Sequence, residues 1–136
     1  MQTISAKIDT RLYRTEITSS TGNILIVDEP QEMGGKNLGF SPSELLASSL
    51  ASCTLITLRM YINRKGWNVS EIDIKIDFER DTEQNVSSFT RKIEITGEID
   101  DEQRQRLETI ANSCPIHKIL THTINIKTTL TEIYYE

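Results

Sequence analysis

The sequence is poor in cysteine and has no cluster of basic residues. Only two cysteines, Cys53 and Cys114, occur among 136 residues. At this length one domain, residues 1–136, can build a hydrophobic core without disulfide bonds. The net charge is −5 and no run of lysine or arginine occurs. This composition argues against nucleic acid or an anionic membrane surface as the main partner.

The sequence also lacks a secretory signal and a clear bilayer-spanning segment. The N-terminal stretch MQTISAKIDTRLYR contains no apolar region of the kind a signal peptide requires. We expect the longest uncharged stretch, Leu45 to Leu58, to be too short and too rich in serine and threonine to span a bilayer. We therefore expect a soluble cytoplasmic protein, in which cysteines are thiols rather than permanent cross-links.

One long helix is strongly predicted near the middle of the chain. In the stretch SPSELL, Ser41 can cap the helix, Pro42 fits its first position and Glu44 can complete a capping box. The pattern predicts a helix from residue 42 to about 64, ending at Lys65 and Gly66. Its apolar residues are not confined to one stripe, so we expect a second subunit to cover one side.

The remaining elements are mostly strands. Alternating residues predict strands at Ile4–Ile8, in YRTEIT and NILIVD, at 72–79 and at 89–99, with a final strand from His122 to Leu130. Asp100 caps a second predicted helix, and SCPIHKIL opens a short third one with Pro115 at its first position. The order predicts an α+β fold with a mostly antiparallel sheet.

The two cysteines differ in their predicted surroundings. Cys114 precedes a proline at a predicted helix N-terminus, where unpaired N–H groups favour a thiolate. Cys53 lies mid-helix without such help, so a reactive Cys53 needs positive charge from elsewhere; Arg11 or Arg14 of the N-terminal hairpin is the natural source. Glu44 lies about 13 Å along the helix axis from Cys53, so capping is sufficient explanation for it.

Two other interpretations of the cysteines stay open at this point. Both residues can be small apolar members of the core, which is the usual fate of a buried cysteine. Alternatively, they can join His117 and His122 in a Cys2His2 metal site, although the C-x2-H-x4-H spacing is loose and Cys53 is far away in sequence.

Taken together, these residues resemble the OsmC/Ohr family, the osmotically induced and organic-hydroperoxide-resistance proteins. The resemblance covers nearly the whole chain. Its marks are DEPQEMGGKNLGFSPSELLASSLASCTLITLRMYINRKGW and, later, ANSCPIHKIL. It implies antiparallel sheets around a long central helix and an intertwined homodimer, with no metal, flavin or haem.

The resemblance also implies roles for individual residues. Cys53 matches the peroxidatic cysteine and Cys114 the resolving one, and Arg14, with Arg11 as the alternative, matches the arginine that holds the thiolate. One departure concerns the family's glutamate directly after the helix-start proline. That position is Ser43 here and the glutamate follows at Glu44, about 100° further round the helix, so its role is not carried over.

The predicted function is a thiol-dependent reduction of organic hydroperoxides. The Cys53 thiolate attacks the peroxide, the resulting sulfenic acid condenses with Cys114 to a disulfide, and an external dithiol, for which the resemblance suggests a lipoyl-type reductant, reduces it. The alternative hypothesis is a non-catalytic dimer that binds a small apolar ligand in the same cleft.

Overall fold

The computed structural model describes residues 1–133 and has an α+β architecture with antiparallel sheets, as predicted. The elements in chain order are β1 (Ile4–Ile8), β2 (Thr15–Ser19), β3 (Ile24–Val27), a short 3-10 helix (Gln31–Met33), α1 (Pro42–Lys65), β4 (Val69–Asp81), β5 (Val86–Gly97), α2 (Asp101–Ala111) and α3 (Pro115–Leu120). The three N-terminal strands form one antiparallel sheet in the order β1-β2-β3, and β4 and β5 form a long hairpin.

Both ends of α1 are fixed by the residues that the sequence singles out. The Ser41 side chain accepts the N–H of Glu44, and the Glu44 carboxylate accepts the N–H of Ser41, which closes the capping box. The Ser41 N–H lowers the pKa of Glu44 by stabilising its carboxylate. At the other end Gly66 adopts the left-handed conformation with φ 71°, which suits glycine because it has no Cβ.

A buried carboxylate organises the loop that leads into α1. Asp28 is only 1% exposed and accepts backbone N–H groups from Tyr13, Glu29, Lys36 and Leu38. Burial by itself raises the pKa of Asp28, but these four hydrogen bonds outweigh it and lower the pKa overall. The loop is therefore held in one shape by a charged side chain that has no ion pair within the described residues.

The core lies between the second half of α1, the β4–β5 hairpin and α2. Antiparallel register places Ile72 opposite Ile95, and Ile74 opposite Ile93, on the inner face of the hairpin. Arg59 of α1 donates to the carbonyl oxygen of Val69, which ties the helix to the first strand of the hairpin. The buried core residues are Leu58, Tyr61, Ile62, Val69, Leu107 and Ala111.

The predicted strand from His122 to Leu130 is wrong. Residues 123–133 have no regular secondary structure, and they are exposed. Neither sheet offers this segment a hydrogen-bonded neighbour, and alternation alone does not make a strand without one. His122 is exposed as well, and its Nδ1 donates to the carbonyl oxygen of Lys118 at 2.7 Å.

The N-terminal sheet stands apart from the helical core. Its strands contact mainly one another, whereas α1 packs on β4, α2 and α3. Large apolar side chains on both parts are exposed, among them Ile4, Ile24, Phe40, Ile56 and Met60. By length and composition α1 could also cross a membrane, but one such helix is weak support because core helices of soluble proteins share these properties.

Candidate functional site

Cys114 lies at the N-terminus of α3 and is fully buried. As N-cap residue it accepts the backbone N–H of His117 at its sulfur, at 3.3 Å. Pro115, which follows Cys114, has no N–H to donate. The helical N–H that points at the sulfur is therefore that of His117, in the first turn of α3. This geometry suits a sulfur that carries negative charge.

Thr54 of α1 provides the second polar contact of this sulfur. The hydroxyl oxygen of Thr54 and the sulfur of Cys114 are 3.8 Å apart, and either atom can be the donor. Thr54 is itself fully buried and also donates to the carbonyl oxygen of Leu50 at 2.6 Å. The start of α3 therefore packs against the middle of α1, beside the residue that follows Cys53.

Arg91 of β5 connects all the elements around Cys114. Its Nη1 donates to the hydroxyl of Thr54 and to the carbonyl oxygen of Ala111, both at 3.0 Å. Its Nη2 donates to Oδ1 of Asn112 at 2.9 Å and to Nδ1 of His117 at 2.8 Å. Arg91 thus joins β5, α1, the end of α2 and α3 through four neutral acceptors.

Sequence reasoning missed Arg91, although a signal was present. Phe89, Ile93 and Ile95 alternate on the inner face of β5, and Arg91 occupies the one position between them with the same parity. A charged residue at a core-facing strand position needs partners, because burying a charge without them is unfavourable. The interruption of the apolar pattern could have identified Arg91, but not the four groups that it binds.

His117 is neutral in this arrangement. A guanidinium only donates hydrogen bonds, so Nδ1 of His117 must accept from Arg91 and the ring proton must lie on Nε2. Partial burial, the charge of Arg91 and the charge of His122 all lower the pKa of His117. The ring therefore serves as an acceptor for Arg91 near neutral pH.

Cys53 lies on a different face of α1 from Thr54. One helical step turns a side chain by about 100°, so Cys53 shares its face with Leu46, Ile56 and Met60 rather than with the buried residues. These three apolar side chains are exposed, and Cys53 is half-buried among them. The spacing 46, 49, 53, 56 and 60 follows a heptad pattern, which is typical of a helix–helix interface.

The two cysteines are not bonded to each other. Both are free thiols, and no hydrogen bond joins them among residues 1–133. Cys114 contacts Thr54, the neighbour of Cys53 along the helix.

Arg14 does not approach either cysteine of its own chain through a hydrogen bond or an ion pair within residues 1–133. It lies in a pocket of the N-terminal sheet that also contains Arg11, Asp9 and Glu16. Arg11 is engaged by Asp9, with Nη2 2.8 Å from Oδ2, and this pairing lowers the pKa of Asp9 to about 2. Arg14 has no such partner in the described part of the chain and is the freer of the two arginines.

The hypothetical Cys2His2 site is not assembled within the described residues. No group of three or more cysteine, histidine or acidic side chains is arranged to hold a metal ion there. His117 uses Nδ1 for Arg91, and Nδ1 of His122 is directed at a backbone carbonyl.

Two cavities adjoin the site. One has a volume of about 270 Å3 between β5 and α2, and it is lined by Leu58, Arg91, Ile93, Ile95, Arg104, Leu107 and Glu108. The other is an open apolar groove beside the exposed face of α1, lined by Leu55, Ile56, Arg59, Met60 and Ile72. Arg91 therefore borders both a cavity and the surroundings of Cys114.

Comparison with known proteins identifies similar chains. A family model described as OsmC-like protein matches residues 34–129. No curated protein sequence matches. Similar solved structures include a protein from Psychrobacter arcticus named for osmotic stress induction and a detoxification response (26% identity, 88% of each chain, TM-score 0.77) and an OsmC-like protein from Mycoplasma pneumoniae (20% identity, 97% of this chain and 98% of that one, TM-score 0.76). An organic hydroperoxide resistance protein from Legionella pneumophila is 18% identical over 88% of each chain, with a TM-score of 0.67.

Proposed function

Because this chain belongs to the OsmC-like protein family, we propose that it is a thiol peroxidase that reduces organic hydroperoxides through Cys53 and Cys114. The observation that carries the proposal is the contact between Cys114 and Thr54, the neighbour of Cys53. Cys53 is half-buried and Cys114 is fully buried beside a cation, and the residue that follows Cys53 contacts the Cys114 sulfur, which supports redox exchange between the two thiols.

The reaction proceeds in three steps: oxidation of Cys53, disulfide formation and reduction of the disulfide. The Cys53 thiolate attacks the terminal peroxide oxygen, the O–O bond breaks, and the alkoxide takes a proton to leave as alcohol, with Cys53 oxidised to a sulfenic acid. The Cys114 thiolate then attacks the Cys53 sulfur, and the hydroxyl group leaves with a proton as water. Finally an external dithiol, of lipoyl type, reduces the disulfide by exchange.

A homodimer completes the site in this proposal. The chain exposes 11089 Å2, whereas a folded monomer of this mass is expected to expose about 7,200 Å2. The excess of several thousand Å2 is in the range of obligate interfaces. The exposed heptad face of α1 and the separate N-terminal sheet are the surfaces available to a second copy, which would bury Cys53 between two helices.

The dimer also offers Arg14 a position near a thiol. Within residues 1–133 of one chain this arginine makes no hydrogen bond to Cys53, but an N-terminal sheet that crosses to the partner can bring it to the partner's thiol. A permanently charged guanidinium there would stabilise the Cys53 thiolate, which has no help from the middle of its own helix.

The substrate preference follows from the exposed face of α1. Ile56 and Met60 border an apolar groove next to Cys53 on the helix. Burial of the alkyl group of an organic hydroperoxide in such a groove lowers the free energy of binding, whereas hydrogen peroxide has no apolar part to bury.

The protein is expected to do this chemistry in the cytoplasm, where dithiol reductants are available.

Thiol titration tests the proposal. One equivalent of an organic hydroperoxide should consume two thiols per chain and produce a Cys53–Cys114 disulfide that peptide mapping detects. Cys53→Ser should abolish peroxide consumption, whereas Cys114→Ser should react once and leave a trappable sulfenic acid on Cys53. Loss of no thiols would reject the peroxidase and favour a dimer that binds an apolar ligand in the same groove.

A further inference from the structure

We infer that Arg91 and Thr54 are positioning residues for Cys114, which they hold and polarise for its attack on Cys53. This role of the two residues rests on the pairing of Cys53 and Cys114 in the proposed function. It does not depend on the identity of the oxidant that first modifies Cys53.

The number of hydrogen bonds that the Thr54 hydroxyl can donate and accept supports this role. Its hydroxyl has one proton, and its oxygen already accepts a hydrogen bond from Nη1 of Arg91. When Cys114 is a thiol, the Thr54 hydroxyl can keep donating to the carbonyl oxygen of Leu50 while the S–H donates to the Thr54 oxygen. When Cys114 is a thiolate, the same hydroxyl can rotate and donate to the sulfur instead. Thr54 can therefore serve either form of Cys114.

The charge of Arg91 makes this hydroxyl a better donor. Among residues 1–133 Arg91 has no carboxylate partner, because all four of its acceptors are neutral. Glu108 lines the same cavity but forms no ion pair with it in the described part of the chain. An uncompensated cation one hydroxyl away from a fully buried sulfur offsets the loss of water that burial imposes on a thiolate.

The sulfur is also held in direction. The N–H of His117 and the hydroxyl of Thr54 contact it from α3 and α1, and Arg91 binds both of these residues. Removing the guanidinium group of Arg91, whose two terminal nitrogens bind Thr54 and His117, would leave the start of α3 free to shift relative to α1. Attack on a sulfur requires a defined approach, so such a shift slows disulfide closure without affecting the chemistry of Cys53 itself.

Ellman's reagent separates the two thiols without any peroxide. Cys53 attacks the reagent and releases one thionitrobenzoate, in a step whose rate depends on reagent concentration. Cys114 then attacks the mixed disulfide, forms the Cys53–Cys114 bond and releases a second thionitrobenzoate, at a rate independent of reagent concentration. Cys114→Ser, which should give the first release only, verifies the assignment.

The variants are chosen in matched pairs. Thr54→Val keeps the side-chain shape but removes the hydroxyl, and it should slow the second release by about tenfold or more while the first release is unchanged. Thr54→Ser keeps the hydroxyl and should restore the second release. Arg91→Met should slow the second release as Thr54→Val does, and Arg91→Lys, which keeps the charge without the fork, should lie between Arg91→Met and the wild type.

The outcomes are distinct. Equal second-release rates in Thr54→Val and wild type, or an equal slowing in Thr54→Ser, would overturn the inference while leaving the peroxidase proposal intact. Normal closure with Ellman's reagent but no reaction with organic hydroperoxides would overturn the peroxidase proposal and leave the inference intact. No second release from the wild type would overturn both, because Cys114 would then not resolve Cys53.

Discussion

Cys53 and Met60 lie on the same exposed face of α1, seven residues apart, so a helix that covers one of them also covers the other. Met60 is 67% exposed in the single chain, which is unusual for an apolar residue of a central helix. The exposure of the Cys53 thiol therefore depends on whether a second copy of the chain covers this face of α1.

Met60→Glu should weaken the dimer, because it places a charge in an apolar interface where no partner compensates it. Sedimentation of the wild type should give about 31 kDa, twice the 15.5 kDa of the chain, and the variant should move toward the monomer mass. Gln105→Glu, on the exposed surface of α2, adds the same charge elsewhere and should leave the dimer unchanged. A wild-type protein that is monomeric at micromolar concentration would contradict the shared site.

Arg14→Ala should slow oxidation of Cys53 by about tenfold or more, since the thiolate loses a charge-assisted partner. Stopped-flow consumption of an organic hydroperoxide measures the effect, and thermal unfolding at fixed protein concentration should change little. Arg11→Ala is the matched control, because Arg11 is already engaged by Asp9. If Arg11→Ala is the slow variant and Arg14→Ala is not, the two arginines exchange roles.

Asp28→Asn should destabilise the protein by about 1–3 kcal/mol at neutral pH, because an amide meets four N–H groups that the carboxylate now accepts. The folded state lowers the pKa of Asp28, so the stabilisation is present above the unfolded value of 3.8 and is lost as pH falls through the lower folded value. Urea unfolding at neutral and acidic pH measures both effects. A difference between wild type and variant that does not shrink at acidic pH would contradict this account.

His117 should also make the stability of the protein depend on pH. It is a base whereas Asp28 is an acid, but the pKa of both is lowered on folding, so stability again falls as the pH falls. Its pKa is lowered in the folded state, so the unfolded chain takes up the proton first as pH falls below 6.5. Stability should therefore decrease over the interval just below pH 6.5, down to the folded pKa. His117→Gln, whose side-chain oxygen can still accept from Arg91, should reduce this slope. His122→Gln should retain most of it, because the charge of His122 is the smallest of the three effects that lower the pKa of His117. An unchanged slope in His117→Gln would assign the effect to another group.

The local elements could be predicted from the sequence because their signals are local. The capping box of Ser41 and Glu44, the left-handed Gly66 and the cap at Asp100 each lie within a few residues of the element they bound, and the structure contains all three. The β4–β5 hairpin also follows from alternation, although β4 extends from Val69 rather than from residue 72.

The parts that escaped prediction depend on distant contacts. Arg91 is separated from Thr54 and His117 by 37 and 26 residues, so no local pattern shows that one guanidinium joins them. Residues 122–130 alternate as a strand should, but the chain offers them no neighbouring strand. The sequence places Arg14 on the N-terminal hairpin, but that place alone does not show which groups the arginine meets in the folded chain.

The two capped ends of α1 fix the length of this helix and the number of residues in it. Ser41 and Gly66 determine where it begins and ends, so the direction of every side chain between them is set by a count of residues. A one-residue insertion between Pro42 and Cys53 would turn everything before it by about 100° relative to everything after it. Either the cap would be lost or the thiol would leave its face. In this segment the chain can therefore accept substitutions far more readily than changes of length.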